Sequence, residues 1–120
     1  MNNQAIDHHQ AQYIYLLAGQ QEYDQALAAG ELVRDSLQNE GFIHASPADQ
    51  LSRVANKHYT NVANVLVLVV EQQRITPPVK WQPATGGLYP HIFGPMNMDA
   101  VIEVQAIKKD EHGVFSITIE

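Results

Sequence analysis

The hydrophobic pattern in the first part of the chain changes period where one predicted element ends and the next begins. Tyr13–Leu17 is rich in residues that favour strands and is followed by Gly19, so the pattern predicts a first strand there. Gln20–Ala29 holds good helix formers, and Gly30 stands where a helix C-cap is expected. We therefore predict a strand that leads directly into a helix.

A second helix is predicted after a short strand over Gly41–Ala45. Ser46 suits the N-cap of this helix, and Pro47 suits its first helical position. Small and apolar side chains then recur at helical spacing to about Tyr59. The segment before the strand, residues 31–39, has a mixed pattern and is predicted to be extended and then to turn.

The second half of the chain consists mostly of predicted strands. Val65–Val70 is a continuous branched run without alternation, which is typical of a central strand covered on both faces. Further strands are predicted at Val79–Gln82, Tyr89–Phe93, Ala100–Ile107 and Val114–Ile119, with turns at Pro83–Gly87 and Lys108–Gly113. Helices early and strands late favour an α+β fold with two main helices and a largely antiparallel sheet.

Length, composition and charge exclude several classes of protein. The chain has 120 residues, which suits a single domain, expected over residues 13–120 behind a flexible tail of residues 1–12. Cysteine is absent, which excludes disulfides and thiolate metal sites. No apolar run is long enough to span a bilayer, and the N-terminus lacks the features of a secretory signal, so we expect a cytoplasmic protein without a membrane partner. A net charge of −6 with seven Lys and Arg argues against binding to duplex nucleic acid, although one small phosphorylated ligand needs few cations.

One candidate site follows from strand alternation around His44. Phe42, His44 and Ser46 fall on one face of the predicted strand, which ends at the predicted N-terminus of the second helix. An imidazole, a hydroxyl and unpaired backbone N–H groups would then lie together and favour an anion such as phosphate. The alternative is that His44 is a hydrogen-bonded core histidine and that Ser46 is only a cap. The nearby cations that could add charge are Arg34, Arg53 and Lys57.

A second candidate site is centred on His91. Tyr89, His91 and Phe93 share a face by the same alternation, so an imidazole lies between two aromatic rings that could stack on a planar ligand. The alternative is an aromatic stripe in the core. The prolines on both sides would then indicate an irregular strand at a sheet edge.

The sequence lacks the residue spacings that metal binding and nucleophilic catalysis by serine typically show. His44, His58 and His91 are available, but no H-x-H or H-E-x-x-H pattern is present, so no metal site is predicted. Ser36 and Ser46 do not lie in a G-x-S-x-G turn, and no serine nucleophile is predicted.

Several segments of the chain match a pattern seen in a known family. They include Asp35-Ser36-Leu37, Glu40-Gly41-Phe42-Ile43-His44-Ala45-Ser46, Val54-Ala55-Asn56, Val65–Leu68, Trp81, Tyr89-Pro90-His91-Ile92-Phe93-Gly94-Pro95 and Asp99-Ala100-Val101. Together they resemble the bacterial "domain of unknown function 952" family over about residues 13–107, and the two histidine motifs carry the resemblance. It implies an ADP-ribosyltransferase-like fold, which is a split, mostly antiparallel β-structure with flanking helices.

The resemblance also implies a cleft that holds a nucleotide. Enzymes of the ADP-ribosyltransferase-like superfamily bind NAD between two small sheets, so NAD and ADP-ribose become candidate ligands and His44 would lie near them. The resulting hypothesis is a protein that binds or transforms a nucleotide or other phosphorylated small molecule, with His44 and His91 as catalytic candidates. The candidate ligand-binding residues are Ser36, Ser46, Arg53, Gln82 and Tyr89.

The chain departs from the family pattern at two positions. Family members commonly have a histidine in the first strand, where this chain has Leu16, and a glutamate after the aromatic residue of a later strand, where it has Gln82. Glutamine retains the hydrogen bonding of glutamate but not its charge, which weakens the case for transferase catalysis more than the case for ligand binding. The alternative hypothesis is a non-enzymatic interaction or structural module that presents aromatic residues of the Tyr89–Phe93 edge to a protein partner.

Overall fold

The computed structural model describes residues 12–119, and within that range the chain forms three helices and eight strands. The helices are α1 (Gln20–Ala29), α2 (Asp35–Asn39) and α3 (Leu51–His58). The strands are β1 (Tyr13–Gly19), β2 (Glu31–Leu32), β3 (Ile43–His44), β4 (Val65–Glu71), β5 (Val79–Ala84), β6 (Gly87–Ile92), β7 (Met96–Asn97) and β8 (Val101–Ile107). The predicted tail, apart from Gln12, lies outside the described residues.

The strand pairs in the described residues are antiparallel and form three sheets, ordered β1-β4-β8, β2-β7 and β3-β6-β5. This confirms the predicted α+β class with antiparallel strands. Gly30 ends α1 in the left-handed conformation, with φ of 83°, as its position after the helix predicted. No helix among the described residues is long and apolar enough to cross a membrane.

The branched run in β4 occupies the central position that its pattern predicted. Leu66, Leu68 and Val70 face the larger core cluster, which also contains Trp81 and Ile92. The intervening residues face a second cluster formed with α3 and Phe115. Because successive side chains of a strand point to opposite faces, a strand covered on both sides has no polar position to alternate with.

β6 is the central strand of the sheet β3-β6-β5, so the prediction of a sheet edge at Tyr89–Phe93 is wrong. The carbonyl of Pro90 points away from β5, because it accepts from the N–H of Ala45 at 3.1 Å. In an antiparallel ladder the carbonyl and nitrogen of one residue point to the same side. The missing N–H of Pro90 therefore removes no bond to β5, and proline is tolerated at this position. The interaction-module hypothesis therefore loses the exposed edge on which it relied.

The predicted role of Ser46 as a helix N-cap is also wrong. Ser46 donates its backbone N–H to the Tyr15 carbonyl at 2.8 Å and accepts from the Tyr15 N–H at 2.9 Å. These bonds hold the chain extended, and a 3₁₀ turn over Ala48–Gln50 intervenes before α3 begins at Leu51. The Ser46 hydroxyl donates to the carbonyl of Pro47 at 2.7 Å and caps no helix.

Two further predictions differ from the structure. The segment 31–39 begins extended in β2, as predicted, but it then forms the short helix α2, which the mixed pattern did not indicate. Val114–Ile119 forms no strand. An isolated bridge joins Lys109 to Phe115, and side chains of α3 hydrogen-bond the backbones of Phe115 and Ile117. Because the side chain of Asn56 both donates to and accepts from the backbone of Phe115, it takes the place of a partner strand.

Candidate functional site

A cleft of about 810 Å³ opens where β1, the start of α2, α3 and the β5–β6 hairpin meet. Its volume lies within the range that accommodates small-molecule ligands. Tertiary folding brings together six of the predicted site residues, which come from several different elements. These six are Ser36, His44, Ser46, Arg53, Tyr89 and His91.

His44 and His91 are directly opposite each other across the β3–β6 pair. Their ring centroids are 5.4 Å apart at an interplanar angle of 73°. Phe42 stacks on His91 at 4.0 Å and meets the edge of His44 at 4.9 Å. Phe42 also lies 5.3 Å from Phe93. The two predicted motifs thus present their rings on the same face of the sheet, as strand alternation requires.

His91 is only 6% exposed, and its Nδ1 lies 2.6 Å from Oε1 of Gln82. Burial lowers the pKa of His91 below its usual value, and the neighbouring His44 lowers it further, while Glu40 has the opposite effect. Gln82 does not itself line the cleft and reaches it through His91. His91 is therefore a neutral imidazole at pH 7 with one nitrogen already engaged.

His44 is more accessible than its partner, with its side chain 54% exposed. Its Nε2 lies 3.1 Å from Oε2 of Glu40, whose side chain is 49% exposed. An ionised carboxylate only accepts hydrogen bonds, so Nε2 of His44 carries the hydrogen of this contact. The site thus holds two imidazoles of different character, one buried against an amide and one exposed beside a carboxylate.

Arg53 connects α3 to the β5–β6 hairpin. Its Nη2 donates to the Thr85 carbonyl at 2.5 Å and to the hydroxyl of Tyr89, and its Nε donates to Oε1 of Gln50 at 2.9 Å. The Tyr89 hydroxyl also lies 2.9 Å from the Thr85 carbonyl. Gly86 makes this close approach possible, because a Cβ there would lie 2.9 Å from the amide oxygen of Gln50. Arg53 and Tyr89 therefore form one wall of the cleft.

Arg34 also lines the cleft, but its charge is already paired. Its guanidinium donates to both carboxylate oxygens of Glu22, at 2.9 and 3.0 Å, and to the Leu17 carbonyl at 2.5 Å. Tyr59 donates its hydroxyl to the same carbonyl at 3.0 Å. This cluster holds α1 against β1 and leaves Arg34 little capacity for a ligand.

The hydroxyl of Ser36 is a polar group at the cleft without a partner. Its Oγ is buried and has no hydrogen-bond partner among residues 12–119.

Leu16, at the position where the resemblance led us to expect a histidine, is 1% exposed in the larger core cluster. It brings no polar group to the cleft. Within the described chain, no group of three or more His, Cys, Asp or Glu side chains could hold a metal ion.

Two tyrosines of the cleft wall, Tyr15 and Tyr59, were not predicted from the sequence. Tyr15 alternates with Leu17 on the face of β1 that α3 covers. That alternation was visible in the sequence, but no local pattern indicates which element crosses this face. The missing information was therefore the packing of α3 on β1.

Comparison with known proteins gives a family and a shared fold. Residues 17–104 match the family described as "Protein of unknown function (DUF952)". The chain is similar to the crystal structure of protein CC0527 from Caulobacter crescentus, with 30% identity and a TM-score of 0.77, over 87% of this chain and 93% of that one. The solution NMR structure of CC0527 is 30% identical with a TM-score of 0.72, over 85% and 90% of the two chains. No curated protein matches the chain significantly.

The family match covers most of the described chain and includes both histidine motifs. It confirms the resemblance that those motifs carried in the sequence. The chain therefore belongs to the DUF952 family, whose members are described as proteins of unknown function.

Proposed function

We propose that the cleft binds a small anionic ligand, namely a nucleotide or another phosphorylated compound. The distribution of charge is the observation that carries this proposal. The chain has seven Lys and Arg against thirteen Asp and Glu, yet in the described chain three of those cations and two of those carboxylates line the cleft. Three histidines line it as well. An acidic protein that gathers cations around one concave surface is suited to hold an anion there.

Lys57 and Arg53 are the cations that a phosphate would meet. They lie four residues apart on α3, so both project from the same side of the helix. Lys57 is exposed and makes no ion pair within residues 12–119, and Nη1 of Arg53 has no hydrogen-bond partner in that range. Both side chains therefore have donors available for the oxygens of an anion.

Ser36 supports the same proposal through its unmet hydrogen bond. A buried hydroxyl without a partner costs about 1–3 kcal/mol relative to a satisfied one. A ligand oxygen or a bound water at the cleft wall would remove that cost. Ser46 also lines the cleft, but its hydroxyl already donates to the Pro47 carbonyl.

NAD and ADP-ribose are the first ligands to test. The resemblance to the ADP-ribosyltransferase-like superfamily favours them, and three tyrosines of the cleft offer aromatic surfaces for a base or a nicotinamide ring. Gln82 stands where the family commonly has glutamate, so the carboxylate that would stabilise an oxocarbenium-like centre is missing. We therefore propose ligand binding as the function and leave transferase chemistry outside the proposal.

Chemical-shift mapping of the ¹⁵N-labelled protein with NAD, ADP-ribose and inorganic phosphate tests this function. We expect ligand-dependent shifts in both 42–46 and 89–93. Lys57→Gln should weaken binding at least about tenfold, the lower end of the value of one hydrogen bond to a charged group. Lys108→Gln removes the same charge from an exposed position outside the cleft and should leave the affinity unchanged. Absence of shifts from both segments with all three ligands would falsify the proposal.

A further inference from the structure

The two nitrogens of His91 are in different environments. Nδ1 faces the amide oxygen of Gln82 at 2.6 Å, while Nε2 has no hydrogen-bond partner among residues 12–119. An amide oxygen can only accept, so the hydrogen of this contact lies on Nδ1. In a neutral imidazole the other nitrogen then carries a lone pair and acts as an acceptor.

Burial, more than the surrounding charges, keeps the ring of His91 neutral. Lys80 is opposite on β5, and His44 is opposite on β3. Arg53 and Lys57 face the same cleft from α3, and Glu40 is the nearby carboxylate. Glu22 and Asp35 also line the cleft, and the ring of His91 is buried against Phe42. Burial and the neighbouring His44 disfavour a second proton on the ring, and Glu40 opposes them.

Gln82 contacts His91 without itself lining the cleft. In the β5–β6 register it is opposite Tyr89, two pairs along from the Lys80–His91 pair, and it does not line the cleft that His91 lines. Because Gln82 engages Nδ1, Nε2 is the ring nitrogen left for a ligand. Such diagonal neighbours lie within reach of long side chains across an antiparallel pair.

We infer that Gln82 determines the specificity of the site by holding His91 in the tautomer whose Nε2 accepts a hydrogen bond from the ligand. This inference rests on the proposed function and narrows its ligand class. Lys57 and Arg53 take the phosphate, and His91 takes a hydroxyl or amide N–H of the same molecule. The ligand is accordingly a phosphate ester that carries hydrogen-bond donors, as sugar phosphates and nucleotides do.

The tautomer is measurable without any ligand. Two-bond ¹H–¹⁵N correlation spectra of histidine-labelled protein should show His91 with hydrogen on Nδ1 and a non-protonated Nε2. Gln82→Glu keeps an acceptor and should retain this tautomer, whereas Gln82→Met removes it and should give a mixture of tautomers. Gln73→Met, an exposed position outside the cleft, should leave the spectrum of His91 unchanged. Hydrogen on Nε2 in the unmodified protein, or an unaltered tautomer in Gln82→Met, would overturn the inference.

A pair of ligands tests the consequence for specificity. Glycerol 3-phosphate and n-propyl phosphate carry the same charge, and they differ in the hydroxyl donors. We expect the unmodified protein to prefer glycerol 3-phosphate about three- to tenfold, the value of one hydrogen bond, and Gln82→Met to lose this preference. Equal affinity of the unmodified protein for both esters contradicts the inference. If neither ester binds, the tautomer spectra decide the role of Gln82, and the shift mapping with NAD, ADP-ribose and inorganic phosphate decides whether the cleft binds an anion.

Discussion

Asn56 holds the C-terminal segment to α3, and its replacement by alanine tests how that segment is fixed. The side-chain amide donates to the Phe115 carbonyl at 2.9 Å and accepts from the Phe115 N–H at 2.8 Å. It also donates to the Ser52 carbonyl at 2.8 Å, which belongs to the same helix. Phe115 is 2% exposed and packs between α3 and the central sheet, so its backbone groups depend on Asn56.

The expected effect is the difference between two opposing contributions. Two hydrogen bonds to Phe115, at about 1 kcal/mol each, contribute about 2 kcal/mol to the free energy of unfolding. Alanine is the better helix former by about 0.6 kcal/mol, which offsets part of the loss. We therefore expect Asn56→Ala to lower the free energy of unfolding by about 1.5 kcal/mol and the melting temperature by about 5 °C.

Urea unfolding followed by circular dichroism measures the free energy, and amide hydrogen exchange locates the change. The Phe115 N–H should lose protection in Asn56→Ala while the amides of β4 keep theirs relative to global unfolding. Asn39→Ala, at an exposed position that ends α2, serves as the control and should be near neutral. A gain in stability in Asn56→Ala, or unchanged protection of Phe115, would refute this account of the segment.

Three further predictions concern the site and the core. Because the pKa of His91 is lowered in the folded protein, the unfolded chain takes up a proton there first, and the free energy of unfolding should fall as pH drops below about 6.5. His91→Asn should lack that component in urea titrations across this range. Gly86→Ala and Gly113→Ala each place alanine at a positive φ, of 99° and 79°, which costs about 1 kcal/mol. In chemical unfolding Gly86→Ala should lower the free energy of unfolding more, because its Cβ also meets polar side chains. Nothing lies within 4 Å of a Cβ at Gly113. Leu68→Ala should lower the free energy of unfolding by about 2–5 kcal/mol in the same assay, since Leu68 is 0% exposed. Ile102→Ala, at a position 44% exposed, should lower it by less than about 1 kcal/mol. Similar losses in the two variants would contradict the assigned core.

The local sequence determined those features that depend on neighbouring residues. Helix α1 and its Gly30 cap, the central strand β4, and the shared face of the rings in each histidine motif all follow from periodicity and from the backbone preferences of single residues. In each case the residues that cause the feature lie within about ten positions of it in the sequence. The sequence was therefore sufficient for the α+β class and for the pairing of chemical groups within each motif.

The tertiary structure alone decided which segments meet. Ser46 has the composition of a helix cap, but two backbone bonds to Tyr15 place it in a bridge and move the start of α3 to Leu51. Asn56, rather than a partner strand, satisfies the backbone of Phe115. Such contacts depend on long-range backbone pairing, for which short segments carry little information.

The candidate site likewise combines features that the local sequence indicated with features that only the tertiary structure decided. Each imidazole could be found from its motif, yet only the β3–β6 register places His44 opposite His91, and only the β5–β6 register brings Gln82 within 2.6 Å of His91. The pairing of Arg34 with Glu22 likewise became known only from the packing of α1 on β1. The sequence thus supplied the chemical groups, and the sheet registers and helix packing decided their partners. The physical reason is that the partner of a side chain depends on where a distant segment lies, and the residues next to that side chain in the sequence do not determine this.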